Sequence, residues 1–223
     1  MAVATLVRPG GTPHNGDSIY LHHHKKFMNL DAWRHYLRAR LFQLLRKPQA
    51  AIAAYREALA ADPGMARTAH ALAFLLAQDK HYAAAEAALR QSMLAAPGNA
   101  AAWFNLGYIC DQQQKTAEAI AAFTEAVRLR PKLDRAWYGL GHCHITLHDD
   151  AAAVPAFERV IQISPMNWHA WIALGMCYHR LGQTDKVQDV AAHINRYQRR
   201  LARQLIRDTG RADLEYLIVD LKP

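Results

Sequence analysis

Pro63, Pro97, Pro131 and Pro165 follow one another at intervals of 34 residues. A register of that kind marks an internal repeat, which restricts the chain to an array of similar supersecondary units. Other columns keep the same offset. Trp103, Trp137 and Trp171 form one, and Leu72, Leu106, Leu140 and Leu174 another. Gly107, Gly141 and Gly175 align with Ala39 and Ala73 upstream. Later in each unit Ala51, Ala85, Ala119 and Ala153 align, as do Tyr55, Leu89, Phe123 and Phe157.

The residues inside each unit predict two helices. Ala, Leu, Gln, Glu and Arg dominate, and all are strong helix formers. Apolar residues recur at three- and four-residue steps, as in Trp103, Leu106 and Cys110, then in Ile120, Phe123 and Val127. The small residues at 107, 141 and 175 let paired helices approach closely. Each proline removes an N–H and disfavours helix in the residue before it, so it ends the second helix. Pro155 falls inside a second helix and predicts a small local distortion. A single helix pair cannot bury its apolar face alone, so the units stack into a solenoid with a concave groove lined by first helices. The fold class expected is all-α, an α-α superhelix of antiparallel helix pairs.

The pattern of Trp, Leu-Gly, Ala, Phe and Pro resembles the tetratricopeptide repeat. It is carried by WFNLGY at 103–108 with AEAIAAFTEAVRLRP at 117–131, and by WYGLGHC at 137–143 with AAVPAFERVIQISP at 152–165. The resemblance covers residues 32–201 as five units: 32–65, 66–99, 100–133, 134–167 and 168–201. The first unit has His35 and the second Ala69 in the Trp column, and the fifth has Arg199 where proline is expected. That last departure predicts one long helix over 185–208, extending beyond the solenoid as a C-terminal cap.

Composition excludes other classes. The 223 residues are 52% hydrophobic and 21% charged, as in a foldable globular chain. Three cysteines, Cys110, Cys143 and Cys177, make no disulfide framework and read as small buried residues. There is no apolar run of membrane-spanning length, and MAVATLVRPGG lacks the basic start of a secretory signal, so a cytoplasmic location is expected. A formal charge of +8 biases the chain toward acidic partners. Much of the excess lies in the C-terminal helix, where Arg196, Arg200, Arg203 and Arg207 are expected on one face as a solvated cap or an anion-binding surface.

The flanks are read as a tail and lead-in over 1–31, part of which caps the first repeat, and a cap extension with an apolar tail over 202–223. LEYLIVDLKP at 214–223 must pack on the solenoid, on a partner or on a second copy. The run His22–His24 reads as a solvated basic loop, because three adjacent histidines on a helix cannot face one ion.

No phosphate loop, H-E-x-x-H, G-x-S-x-G or C-x-x-C is present, so no catalytic residue, cofactor or metal is expected. His144, with His148, reads as a satisfied core or turn histidine. The groove carries the candidate site. Repeat register assigns to it Trp33, Tyr36, Arg40, Arg67, His70, Phe74, Phe104, Asn105, Tyr108, Arg135, Tyr138, His142, His169, Ile172, Met176, His179 and Arg180. The set is aromatic and basic, with Asp111 its notable acid, and suits a peptide or helical segment with apolar side chains and negative charge.

The family resemblance supplies templates that this chain fits in part. Asn105 and Arg135 resemble two members of the clamp that some family members use on a C-terminal carboxylate, but His70 and Phe74 stand where Lys and Asn are needed. The asparagine ladder of glycosyltransferase solenoids is absent, and the family's secretion chaperones resemble shorter, acidic chains. The function expected is a non-catalytic scaffold or adaptor, an assembly factor or a complex subunit. The alternatives are a chaperone-like holder of a client segment, or a binder of nucleic acid or anionic membrane surface through the arginine helix.

Overall fold

A computed structural model describes residues 29–218. Among the described residues it contains ten α-helices in five consecutive antiparallel pairs, an eleventh α-helix, a short 3-10 helix and no strand. The pairs are α1 (Leu30–Leu44) with α2 (Pro48–Ala61), α3 (Ala66–Gln78) with α4 (Tyr82–Ala95), and α5 (Ala100–Gln112) with α6 (Thr116–Leu129). They continue with α7 (Asp134–Thr146) and α8 (Asp150–Ile163), then α9 (Trp168–Arg180) and α10 (Thr184–Tyr197). The cap is α11 (Arg199–Asp208) followed by the 3-10 helix Ala212–Leu217. None of these helices is long and apolar enough to cross a membrane.

Two devices recur along the array. Between the helices of a pair, Arg46, Lys80, Gln114, His148 and Gly182 take the left-handed conformation, with φ between 55° and 69°. The following N–H then donates to the carbonyl five residues back, as from Lys115 to Cys110 at 2.9 Å and from Gln183 to Tyr178 at 2.9 Å. This is a Schellman closure of the first helix, made four times without glycine. Between pairs, the Trp column is tied to the Pro column. The indole N–H of Trp103 donates to the Pro97 carbonyl at 2.8 Å, that of Trp137 to Pro131 at 3.0 Å, and that of Trp171 to Pro165 at 2.9 Å. The two strongest sequence columns are therefore one hydrogen-bonded corner.

The long helix expected over 185–208 is instead two helices, broken at Gln198. The break keeps the repeat register. Asp62, Ala96, Arg130, Ser164 and Gln198, spaced by 34, have φ of −141°, −144°, −138°, −131° and −141°. Proline follows the first four and Arg199 the last, so proline accompanies the stop without being required for it. After the break, α11 folds back and buries Ala202, Leu205 and Ile206, with Leu205 seated against Gly175 and beside Val190. Pro155 lies on the exposed side of α8, which runs from Asp150 to Ile163 around it.

The core falls into two clusters. One runs from α1 to α7; the other joins α8, α9, α10, α11 and the 3-10 helix, and Trp137 packs against both. Leu214 is buried in the second, with Leu217 and Ile218 against it, so the start of the apolar tail packs on the solenoid. Residues 219–223, like the N-terminal residues 1–28 with their His22–His24 run, lie outside the described residues.

Candidate functional site

Between the third and fourth units lies a hollow of about 560 Å³. It gathers Phe104 and Tyr108 from α5, Arg135, Tyr138 and His142 from α7, and His169 from α9, six of the expected groove residues. Phe123, Gly139 and Asn167 complete the lining, together with Asp111.

The floor follows from the repeat. Phe123 reaches in from α6, and a Cβ built on Gly107 would stand 2.7 Å from its ring; one built on Gly139 would stand 2.6 Å from it. The ring is thus clasped between glycines of two successive first helices. Elsewhere the column of Gly139 holds Leu37, Ala71, Asn105 and Ala173, so the glycine that admits the Phe123 ring is particular to this unit. Phe104 leans on Phe123 with ring centroids 5.9 Å apart, and Tyr138 packs edge-on against Phe157 at 5.6 Å.

The rim is cationic and polar. The Arg135 guanidinium lies 5.2 Å from the Phe104 ring centroid, an arrangement attractive through the ring quadrupole. No ion pair to Arg135 occurs among the described residues. His142 and His169 are exposed. Asn167 caps α9 by accepting from the Ala170 N–H at 3.1 Å. Asp111 accepts a long contact from the Cys143 thiol, 3.7 Å between sulfur and oxygen. Burial and that carboxylate push the Cys143 thiol up to about 12. Burial likewise raises Cys110 to about 11 and Cys177 to about 12, so the three free, buried cysteines stay protonated, consistent with packing roles.

The other expected groove residues do not line this cavity. Tyr36 packs between Trp33 and Tyr55, at 5.4 and 5.9 Å. His70 is half-buried, with its Nε2 lacking a partner, and burial lowers its pKa. Phe74 lies exposed in a shallow hollow beside Arg46 and Gln78. Ile172 and Met176 pack on the C-terminal core. Arg180 is held by both oxygens of Asp150, which draws that carboxyl below its ordinary pKa. Arg40, Arg67, Asn105 and His179 also lie apart from the cavity. His144 departs from the satisfied histidine expected, since its buried Nδ1 has no hydrogen-bond partner.

The arginine stripe is divided by the break at Gln198. Arg196 stands in the last turn of α10, while Arg200, Arg203 and Arg207 belong to α11. Arg203 and Arg207 edge a cleft shared with Glu215 and Ile218, and Arg203 reaches the Ile218 carbonyl at 3.4 Å. Glu86, Cys110 and Glu118 lie close enough together to suggest a metal site. Cations already pair with these acids: Glu86 accepts from Lys115 at 2.9 Å and from Arg90, and Arg90 reaches Glu118 at 2.6 Å. The Lys115 hydrogen bond leads in drawing the Glu86 carboxyl down to about 2. The cluster is an ionic tie between the second and third units.

Stacked helical hairpins around an aromatic, cation-rimmed hollow define a helical-repeat protein of the protein-interaction scaffold class. The chain belongs to the tetratricopeptide repeat family, whose profiles match residues 34–65, 68–134 and 112–165. Among solved structures, MamA is 20% identical with a TM-score of 0.70, covering 88% of this chain and 100% of its own. YrrB, described as a TPR protein with an unusual peptide-binding site, is 19% identical with a TM-score of 0.70, covering 82% of this chain and 95% of its own. PilF of Pseudomonas aeruginosa is 17% identical with a TM-score of 0.66, covering 84% and 88%. No curated protein matches the sequence.

Proposed function

We propose that the chain is a non-catalytic adaptor that holds a segment of a partner protein in its concave groove, as an assembly factor or complex subunit. The observation that carries this reading is the cavity itself, with Phe123, Phe104 and Tyr138 beneath and Arg135 above. An apolar side chain of the partner enters over Phe123 while a neighbouring carboxylate meets Arg135, a charge-assisted contact stronger than a neutral one. Aromatic residues and arginine are the side chains that dominate binding hot spots. The peptide-binding site described for YrrB supports a peptide ligand on this fold.

The test is purification of the tagged chain from its native host at moderate salt, beside the double variant Arg135→Glu, Tyr138→Ala. A single stoichiometric protein that is lost from the variant, with helicity unchanged, is the expected result. Transient capture of unfolded chains would instead favour a chaperone-like holder. Co-eluting nucleic acid, or a partner indifferent to the double variant, overturns the groove reading and moves attention to the α11 arginines.

A further inference from the structure

Four leucines of α1 are exposed: Leu30 at 73%, Leu37 at 60%, Leu41 at 52% and Leu44 at 81%. At about 100° per residue they fall in one strip, on the side of the helix opposite the fully buried Ala32 and Ala39. Repeat register shows that the strip is particular to this helix. The column of Leu37 holds Ala71, Asn105, Gly139 and Ala173. That of Leu44 holds Gln78, Gln112, Thr146 and Arg180, all exposed. The column of Leu41 is apolar in every unit, and there Leu75, Ile109, Cys143 and Cys177 are at most 6% exposed. The contact that joins one unit to the next elsewhere therefore makes no call for leucine at 37 and 44. These two leucines serve a different contact.

We infer that the strip is an interface between two copies of this chain, paired antiparallel through α1. Leu30, Leu37 and Leu44 stand seven residues apart, and Arg34 and Leu41 form a second seven-residue column beside them. These are the two seam columns of a packed helix pair, with one polar member. The strip is complementary to itself. When Leu37 of each copy lies against Leu41 of the other, Leu44 meets Arg34 of the other copy. The arginine stem then lies along the leucine, and its guanidinium reaches the last turn of the facing helix. That turn is the negative end of the helix dipole and holds no basic residue of its own.

The borders of the strip select a like copy. Arg34 pairs with Asp31 at 3.7 Å, and Arg38 pairs with Glu57 on α2. The charges beside the leucines are thus balanced within each chain, so two copies meet without net repulsion. A strongly acidic or basic partner finds no matching excess here. Covering the four leucines of both copies removes roughly 1,000 Å² from water, about the least that a specific interface needs. None of the four lines the hollow among α5, α7 and α9, so the inference stands apart from the groove reading.

The experiment uses the full chain. Sedimentation at micromolar concentration should give twice the chain mass for the parent and for the control Leu147→Asp, an exposed leucine in a turn. Leu37→Asp, which brings a carboxylate into the seam, should weaken self-association by at least about a hundred-fold with helicity kept. A parent of single mass overturns the inference, and so does a dimer that persists in Leu37→Asp. Cross-linking tests the register without a disruptive charge. Leu37→Cys and Leu41→Cys chains, mixed and oxidised, should form a covalent dimer faster than either chain alone, the three native thiols being buried. Equal rates in the mixture and in the separate chains overturn the antiparallel pairing.

Discussion

The Phe123 ring fills the space that a side chain at residue 139 would need: a Cβ on Gly139 would lie 2.6 Å from its Cζ atom. The relation makes the cavity floor sensitive to one methyl group. Gly139→Ala must push the ring aside, at a cost of about 1–3 kcal/mol for overpacking, and so reshapes the hollow. Gly98→Ala meets nothing within 4 Å and serves as the control. Urea unfolding read beside partner co-elution checks both effects, and an unchanged midpoint with normal binding would show that the floor has slack.

The indole corner is expected to carry measurable stability. Trp137→Phe keeps the aromatic packing and removes the N–H that reaches the Pro131 carbonyl. The loss should be about 1 kcal/mol, the usual net value of such a hydrogen bond. Equal midpoints for Trp137→Phe and the parent in a thermal melt would count against the corner as a stabilising device.

The left-handed column gives a pair of opposite changes. Gly182→Ala places a side chain at φ 69°, where nothing lies within 4 Å, so the expected loss of about 1 kcal/mol is conformational. Gln114→Gly, at φ 61°, relieves the same strain and should gain somewhat less than about 1 kcal/mol, because glycine loses more freedom on folding. Denaturant melts of the two variants should shift in opposite directions.

Glu86 predicts a pH window. Its folded carboxyl titrates near 2 against an ordinary 4.5, so the ionised form stabilises the fold above about 4.5. That contribution is lost as pH falls from 4.5 toward 2. The stability gap between the parent and Glu86→Gln should therefore be full at neutral pH and close across that interval. A gap that stayed constant down to pH 2 would show that the carboxylate's charge is not what matters.

Much of the architecture was legible because it rests on residue identity. Trp, Pro and the Leu-Gly pair recur as letters, and those letters are the hydrogen-bonded corner and the close helix contact. The left-handed column was silent, since Arg46, Lys80, Gln114, His148 and Gly182 share a backbone conformation and no chemistry. The break at Gln198 was hidden for a related reason: the stop had been attributed to proline, whereas the register persists with Arg199 in its place. For the site, register found Phe104, Tyr108, Arg135, Tyr138, His142 and His169 but spread attention along the whole groove. The missing signal was Gly139, a glycine on the inward face beside the phenylalanine column. Register also could not show that Arg180 pairs with Asp150, which lies 30 residues away on the preceding unit.

The hollow also lies over the seam between the two core clusters. Phe104 and Phe123 belong with the first cluster, while Tyr138 packs with the second and His169 projects from its helix α9. A segment lodged there grips both halves at once and acts as a clasp. On the proposed function, the partner's segment is thus a further link between two clusters that also share Trp137.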